Sequence, residues 1–287
     1  MSEEEDVGFL QEHGAWPNTW EELEAQLGAG VSVDIDARDA YGFTALHLAA
    51  HAGRTSALHA LVAAGASLDI IGGRDLGTPM TPLMFAIFSG EYECTDALVT
   101  AGADINVSVP PTGISALATA AQQGCLRTIH LLLNAGASAR TPSGVWGPLH
   151  NAVWAPTPEI SCDCVVALLR AGADITAVDH LGRAPVALAM MGGQYRPPLV
   201  LTLLRKGARL PAPDECIRQI NHHPEQHIDP RLLAYLDAVR QAGGIVRYEN
   251  TRRAPFVATL TRCGVLPIPS DTIPLVVEFW VRRALEY

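Results

Sequence analysis

The sequence predicts an all-α solenoid of stacked helix-turn-helix-hairpin units, and three observations predict it. Six glycines, Gly30, Gly65, Gly102, Gly136, Gly172 and Gly207, follow one another at separations of 35, 37, 34, 36 and 35 residues. A hexapeptide of the form Thr44-Ala45-Leu46-His47-Leu48-Ala49 precedes each of the last five, with a leucine-rich stretch between hexapeptide and glycine. Aromatic residues make up only 6% of the chain while Ala, Leu and Gly abound, so helices can approach closely over small side chains. A period in this range marks supersecondary units that cannot bury an apolar face alone and must stack on their neighbours.

Taken in order, residues 1–15 are acidic, carry few apolar side chains and are expected to fray. The repeats are expected over 16–210. Thr19 followed by Glu22 is a capping box, so a helix should start at Trp20, run through Leu23 and Leu27 and stop at Gly28 and Gly30. It stands as the second half of a partial first repeat. In the first full unit helix A is expected over 44–52, Gly53 permits the turn, helix B follows over 55–64, and Gly65 supplies the left-handed residue that ends it. Later A helices begin near Thr81-Pro82, Ser115-Ala116, Gly147-Pro148 and Ala184-Pro185, where proline is tolerated because the first turn of a helix has free N–H groups. The count is five full repeats and one partial.

The pattern Thr-Pro-Leu-His-x-Ala, then a leucine-rich helix, then Gly-Ala-Asp or Gly-Ala-Ser, resembles the ankyrin repeat. That resemblance implies noncovalent protein binding through hairpin tips and A-helix faces, here those of the first three repeats, by a non-enzymatic scaffold or adaptor. Only Thr44 with His47 keeps both polar members of the hexapeptide, which brace the hairpin in the family, so later units should be individually weaker.

The copies differ in ways that bear on specificity. From the last Ala of the hexapeptide to the closing Gly the spacing is 16 in three units, but 20 from Ala152 to Gly172 and 18 from Ala189 to Gly207. The insertions fall at Trp154-Ala155-Pro156-Thr157-Pro158 and near Tyr195-Arg196-Pro197-Pro198, and their prolines predict stiff loops. The hairpin between Gly65 and Thr81 is the longest, and its tip joins flexible Gly72-Gly73 to an exposed pair, Arg74 and Asp75. Such a finger is either a binding element or simple drift in loop length. Tyr41, Phe43, Phe88, Tyr92, Trp146 and Trp154 stand at hairpins, A-helix ends and turns, and either pack between repeats or meet a partner. The partner-binding set is therefore Tyr41, Phe43, Arg74, Asp75, Phe88, Tyr92, Trp146 and Trp154.

Residues 211–287 form a separate helical module. Helices are expected over 214–220, 231–242, 254–262 and 272–285, the last with an apolar stripe through Ile273, Val276, Val277, Trp280 and Val281. One role is to cap the open end of the solenoid. The alternative is a ubiquitin-ligase substrate receptor docking through 251–287, because Leu260, Cys263 and Leu266-Pro267-Ile268-Pro269 faintly resemble a suppressor-of-cytokine-signalling box, although the helical stretch that the family places between those motifs is missing. Copurification of elongin-type adaptors, lost on deleting 251–287, would favour docking.

The net charge is -10, and eleven acids against Arg38 alone crowd into residues 1–39. This disfavours nucleic acid and anionic membranes as partners and leaves a protein. No apolar run approaches the ~20 residues of a membrane-spanning helix, and the six cysteines without an N-terminal apolar segment point to free thiols in the cytoplasm or nucleus. No phosphate-binding glycine loop or nucleophile elbow occurs. Cys216, His222, His223, His227 and Asp229 fit no zinc spacing, so neither metal, cofactor nor catalytic residue is expected, and the protein should be a monomer. Asn106 stands where ankyrin repeats undergo asparaginyl hydroxylation, with the satisfaction of a turn as its plainer role.

Overall fold

The computed structural model describes residues 19–30, 34–73, 79–110, 113–141, 145–191, 197–209 and Gln241. The chain divides into two compact units at Pro224/Glu225, and every described residue except Gln241 belongs to the first. The helices expected after Leu210, the 251–287 segment, the Cys216–Asp229 cluster and Arg74 with Asp75 lie outside the described residues.

Eleven helices are described, here α1 (Trp20–Gly28), α2 (Ala45–His51), α3 (Thr55–Ala63), α4 (Pro82–Ser89), α5 (Tyr92–Thr100), α6 (Ala116–Gln123), α7 (Leu126–Asn134), α8 (Pro148–Ala152), α9 (Pro158–Arg170), α10 (Pro185–Met191) and α11 (Pro197–Arg205). Among the described residues strand pairing is limited to two isolated bridges, Gly72 with Met80 and Val109 with Ile114. The A helices α2, α4, α6, α8 and α10 pack one on the next, and so do the B helices α1, α3, α5, α7, α9 and α11. Two helical layers result, with A on B within each unit.

Local chemistry sets where the helices start. Thr19, Thr81, Ser115 and Thr157 each accept the N–H three residues on, at 3.1, 3.3, 3.3 and 3.3 Å, each such cap stabilising by about 1 kcal/mol. Between the layers lie Leu46, Leu48, Leu58, Leu61, Leu83, Leu98, Leu117, Ile129 and Leu132, all fully buried. Each contributes ~1.5–3 kcal/mol of burial. Ala116, Ala118, Ala120 and Ala121 are buried along α6, and their small side chains let α4 and α8 close on its two sides.

Two expectations about loops are corrected. The insertion in the fourth repeat does not form a loop alone: α9 has 13 residues where α3, α5 and α7 have 9, while α8 has only 5. Thr157 caps α9 and Pro158 is its first residue, so proline acts here as a helix starter. Pro197 likewise opens α11. Gly72 is also more than a flexible link. A Cβ on it would stand 2.6 Å from Phe43 Cδ1 and 3.0 Å from the Gly42 oxygen, so the residue is glycine because the first finger presses on it. The Gly73 N–H, next in the chain, donates to the Tyr41 carbonyl at 3.1 Å and ties the two fingers together.

Candidate functional site: the fingers and the A-helix ends

The first and fifth fingers share one turn. The Asp39 carboxylate accepts the N–H groups of Tyr41 and Phe43 at 2.9 and 2.7 Å, and Asp179 accepts those of Leu181 and Arg183, both at 2.8 Å. Arg183 Nε adds a bond of 2.8 Å to the other Asp179 oxygen. Burial pushes the Asp179 carboxyl up, but the Arg183 and Leu181 N–H groups and the guanidinium outweigh it and hold the group below the usual carboxylate range. In both fingers the turn projects its third residue outward, Tyr41 at 43% exposure and Leu181 at 54%.

His47 joins the first finger to the second. Its Nδ1 accepts from the Thr44 N–H and hydroxyl at 3.1 and 2.9 Å, which leaves the proton on Nε2 to donate to the Met80 carbonyl at 3.2 Å. Burial lowers its pKa to about 4, so the ring is neutral at physiological pH. The fourth repeat keeps half of this device. His150 Nε2 donates to the Arg183 carbonyl at 3.2 Å, but Gly147 replaces the threonine and the buried Nδ1 has no hydrogen-bond partner. A threonine at 147 would have to displace Thr141, because a Cβ there would stand 2.2 Å from Thr141 Oγ1.

Behind the fingers a second seam crosses the repeats. The N–H of Ser67 donates to Asp36, that of Asp104 to Asp69 and that of Ser138 to Asn106, at 2.9, 2.8 and 2.9 Å. Asn106 therefore has a structural role, since its Oδ1 takes the Ser138 N–H and its Nδ2 reaches the Gly136 carbonyl at 3.5 Å.

The aromatic residues singled out in the sequence do not form one patch. Phe43 is corrected from surface to core: it is 5% exposed, with its ring 4.9 Å from Phe85 and 5.6 Å from His47. Tyr92 is half-buried at the start of a B helix, with the Arg127 guanidinium 3.4 Å above its ring. Trp146 is half-buried 5.9 Å from the Arg183 guanidinium. Both rings thus serve contacts to the following repeat. Phe88 and Trp154 remain on the surface, at 49% and 40% exposure. Each stands seven residues beyond the first residue of its hexapeptide, as do His51 and Gln122. Leu181, His51 and Gln122 were missed from the sequence, although counting from the hexapeptide would have found the last two.

The described cysteines Cys94, Cys125, Cys162 and Cys164 are free thiols, and burial pushes Cys164 up to about 12. Among the described residues no cluster could hold a metal ion, and no helix is long and apolar enough to cross a membrane.

The spacing, the capped helix pairs and the finger turns set the units beside a known family. Residues 18–109 match the family model described as ankyrin repeats in three copies. These are ankyrin repeats. The helix pairs α6–α7, α8–α9 and α10–α11 continue the same architecture beyond the matched segment. The chain is similar to the ankyrin repeat and KH domain-containing protein mask-1 of Caenorhabditis elegans, 28% identical over 202 residues, 69% of this chain and 7% of the relative. It is 32% identical over 119 residues to the B-cell lymphoma 3 protein homolog of Mus musculus, 41% of this chain and 26% of that protein. To the ankyrin repeat protein nuc-2 of Neurospora crassa it is 31% identical over 186 residues, 64% of this chain and 16% of the relative. The chain thus spans about a quarter or less of each relative's length. Ankyrin repeats in general mediate protein–protein interaction.

Proposed function

We propose that the chain is a non-enzymatic scaffold or adaptor that binds a protein partner through its finger turns and A-helix ends. One observation carries this. Among the described residues the large apolar side chains left exposed are Tyr41, Phe88, Trp154 and Leu181. The first and last stand on finger turns, Phe88 in the last turn of the A helix α4 and Trp154 two residues beyond the end of the A helix α8, and none lies on a B helix. Random exposure would scatter over both layers, and exposed aromatic residues are what protein interfaces use as anchors. The uncharged character of these positions speaks for a protein partner over nucleic acid or an anionic membrane.

The test replaces Tyr41, Phe88 and Trp154 together by Ser and, separately, the exposed B-helix residues His59, Asp96 and Asp163 by Ser. With both variants melting like the wild type, partner recovery in a crosslinking pulldown should fall at least tenfold for the first and stay unchanged for the second. Equal recovery from the first variant and the wild type would sink the assignment.

A further inference from the structure

We propose that the row of A-helix ends takes an uncharged, apolar segment of a protein partner, seated between Phe88 and Trp154 with the Gln122 amide on its backbone. This rests on the protein-binding function above and names the partner's chemistry.

His51, Phe88 and Gln122 lie in the last turn of α2, α4 and α6, Trp154 stands at the same count from its hexapeptide two residues beyond the end of α8, and the four A helices pack in that order. The four residues therefore form a line across the stack, one to a repeat. With neighbouring helix axes ~8–10 Å apart, Phe88 and Trp154 stand ~16–20 Å from one another, the reach of five or six extended residues. Gln122, exposed between them, offers one acceptor and an amide donor group, the complement of a peptide unit.

Charge is missing from this line. None of the four residues is Asp, Glu, Lys or Arg, and neither are those one position on, Ala52, Ser89, Gln123 and Ala155. His51 Nδ1 is bonded to the Ser89 hydroxyl, and burial holds its ring below the usual histidine range, so it too is neutral at pH ~7. Among the described finger residues Arg183 is engaged with Asp179, Asp39 with the backbone of its own turn, and Arg38 Nη1 with the Ile71 carbonyl at 3.2 Å. Exposed charge lies on the B helices, at Glu93, Asp96, Arg127, Asp163 and Arg170, and on the stretches that follow them, at Asp34, Asp69, Asp104, Arg140 and Asp174, none of which belongs to the row.

A charged segment laid between Phe88 and Trp154 would give up water and meet no charged side chain among the residues of the row; the Glu91 carboxylate acts on His51, at the row's far end. An apolar segment would give up only apolar hydration, cover two aromatic faces and satisfy its backbone on Gln122. The occupant that this surface rewards is therefore uncharged, and its affinity should be nearly independent of salt.

The test selects binders from a phage-displayed random dodecapeptide library on the full-length chain, in NaCl of about 0.05 M and about 0.5 M. The enriched peptides should be poorer in Asp, Glu, Lys and Arg than the starting library, and their affinity should change less than about twofold between the two salts. Phe88→Ser with Trp154→Ser should lower that affinity ~30-fold or more while leaving the melting midpoint in place. Peptides of one charge sign that lose tenfold in affinity at high salt, yet still need Phe88 and Trp154, would overturn this proposal and leave the protein-binding surface standing. Peptides indifferent to the double variant, or no enrichment, would overturn the proposal, and the first of these would count against the surface as well. A concentration-dependent dimer dissolved by Trp154→Ser would overturn it in favour of a second copy of the chain.

Discussion

Gly124→Ala is expected to destabilise the repeats by about 2–4 kcal/mol. Gly124 ends α6 at φ +72, where any L side chain is strained. Its missing Cβ would also stand 2.5 Å from Ile160 Cγ2, 3.1 Å from Pro156 Cδ and 3.4 Å from Ala155 Cβ. All three neighbours come from the inserted stretch and the start of α9, so the substitution drives the fourth repeat off the turn of the third. Gly136→Ala is the control, because Gly136 has φ +96 but open space where its Cβ would go. It should lose only the ~1–2 kcal/mol of left-handed strain. Urea midpoints of the two variants measure the difference, and hydrogen exchange should place the excess loss for Gly124→Ala in α6 and α9. Equal midpoints would mean that the insertion does not press on the third repeat.

Acid is expected to weaken the joint between the first two repeats. The His47 pKa falls from 6.5 to about 4 on folding, with burial as the chief cause, so the folded state binds fewer protons than the unfolded state between those values. Stability is then full above pH 6.5 and declines as pH falls toward 4. The loss attributable to this residue is ~2 kcal/mol at pH ~5 and approaches ~3 kcal/mol at lower pH. Geometry gives the same sign, because a proton on Nδ1 would face the Thr44 N–H that now donates to it. Burial also lowers the pKa of His51 and His150, which adds loss in the same direction. Denaturant midpoints measured at pH ~7.5 and ~5 test this against His47→Gln. The variant should be less stable at the higher pH and show the smaller drop between the two. An equal drop in both proteins would remove His47 from the account.

What the sequence disclosed divides along the range of the interactions involved. Thr19, Thr81 and Ser115 start helices through bonds three residues away, and Gly65 ends one through its own backbone, so these boundaries could be placed within a residue or two. Phe43 was misplaced because its partner Phe85 lies one repeat further on, beyond the reach of local pattern. Gly72 looked like a flexible link for the same reason, since the atoms that require a glycine there belong to the previous finger. Pro158 opens a helix as readily as it stiffens a loop, and only the cap from Thr157 tells the two apart. Thr157 stands directly before Pro158 in the sequence, so that signal was available. The row of His51, Phe88, Gln122 and Trp154 emerges once α2, α4, α6 and α8 are known to pack in order, because alignment across repeats is a property of the stack. The Tyr92 contact with Arg127 belongs to the same kind.

A photo-crosslinking residue placed at position 88, and in a second protein at position 59 on α3, tests most directly whether the A-helix ends are the surface that binds. Both sites are exposed in the folded chain, so the two proteins should fold alike. Irradiation in a cell lysate should give a discrete crosslinked protein from position 88 and none from position 59. The same crosslinked protein from both positions, or one from position 59 alone, would contradict the assignment.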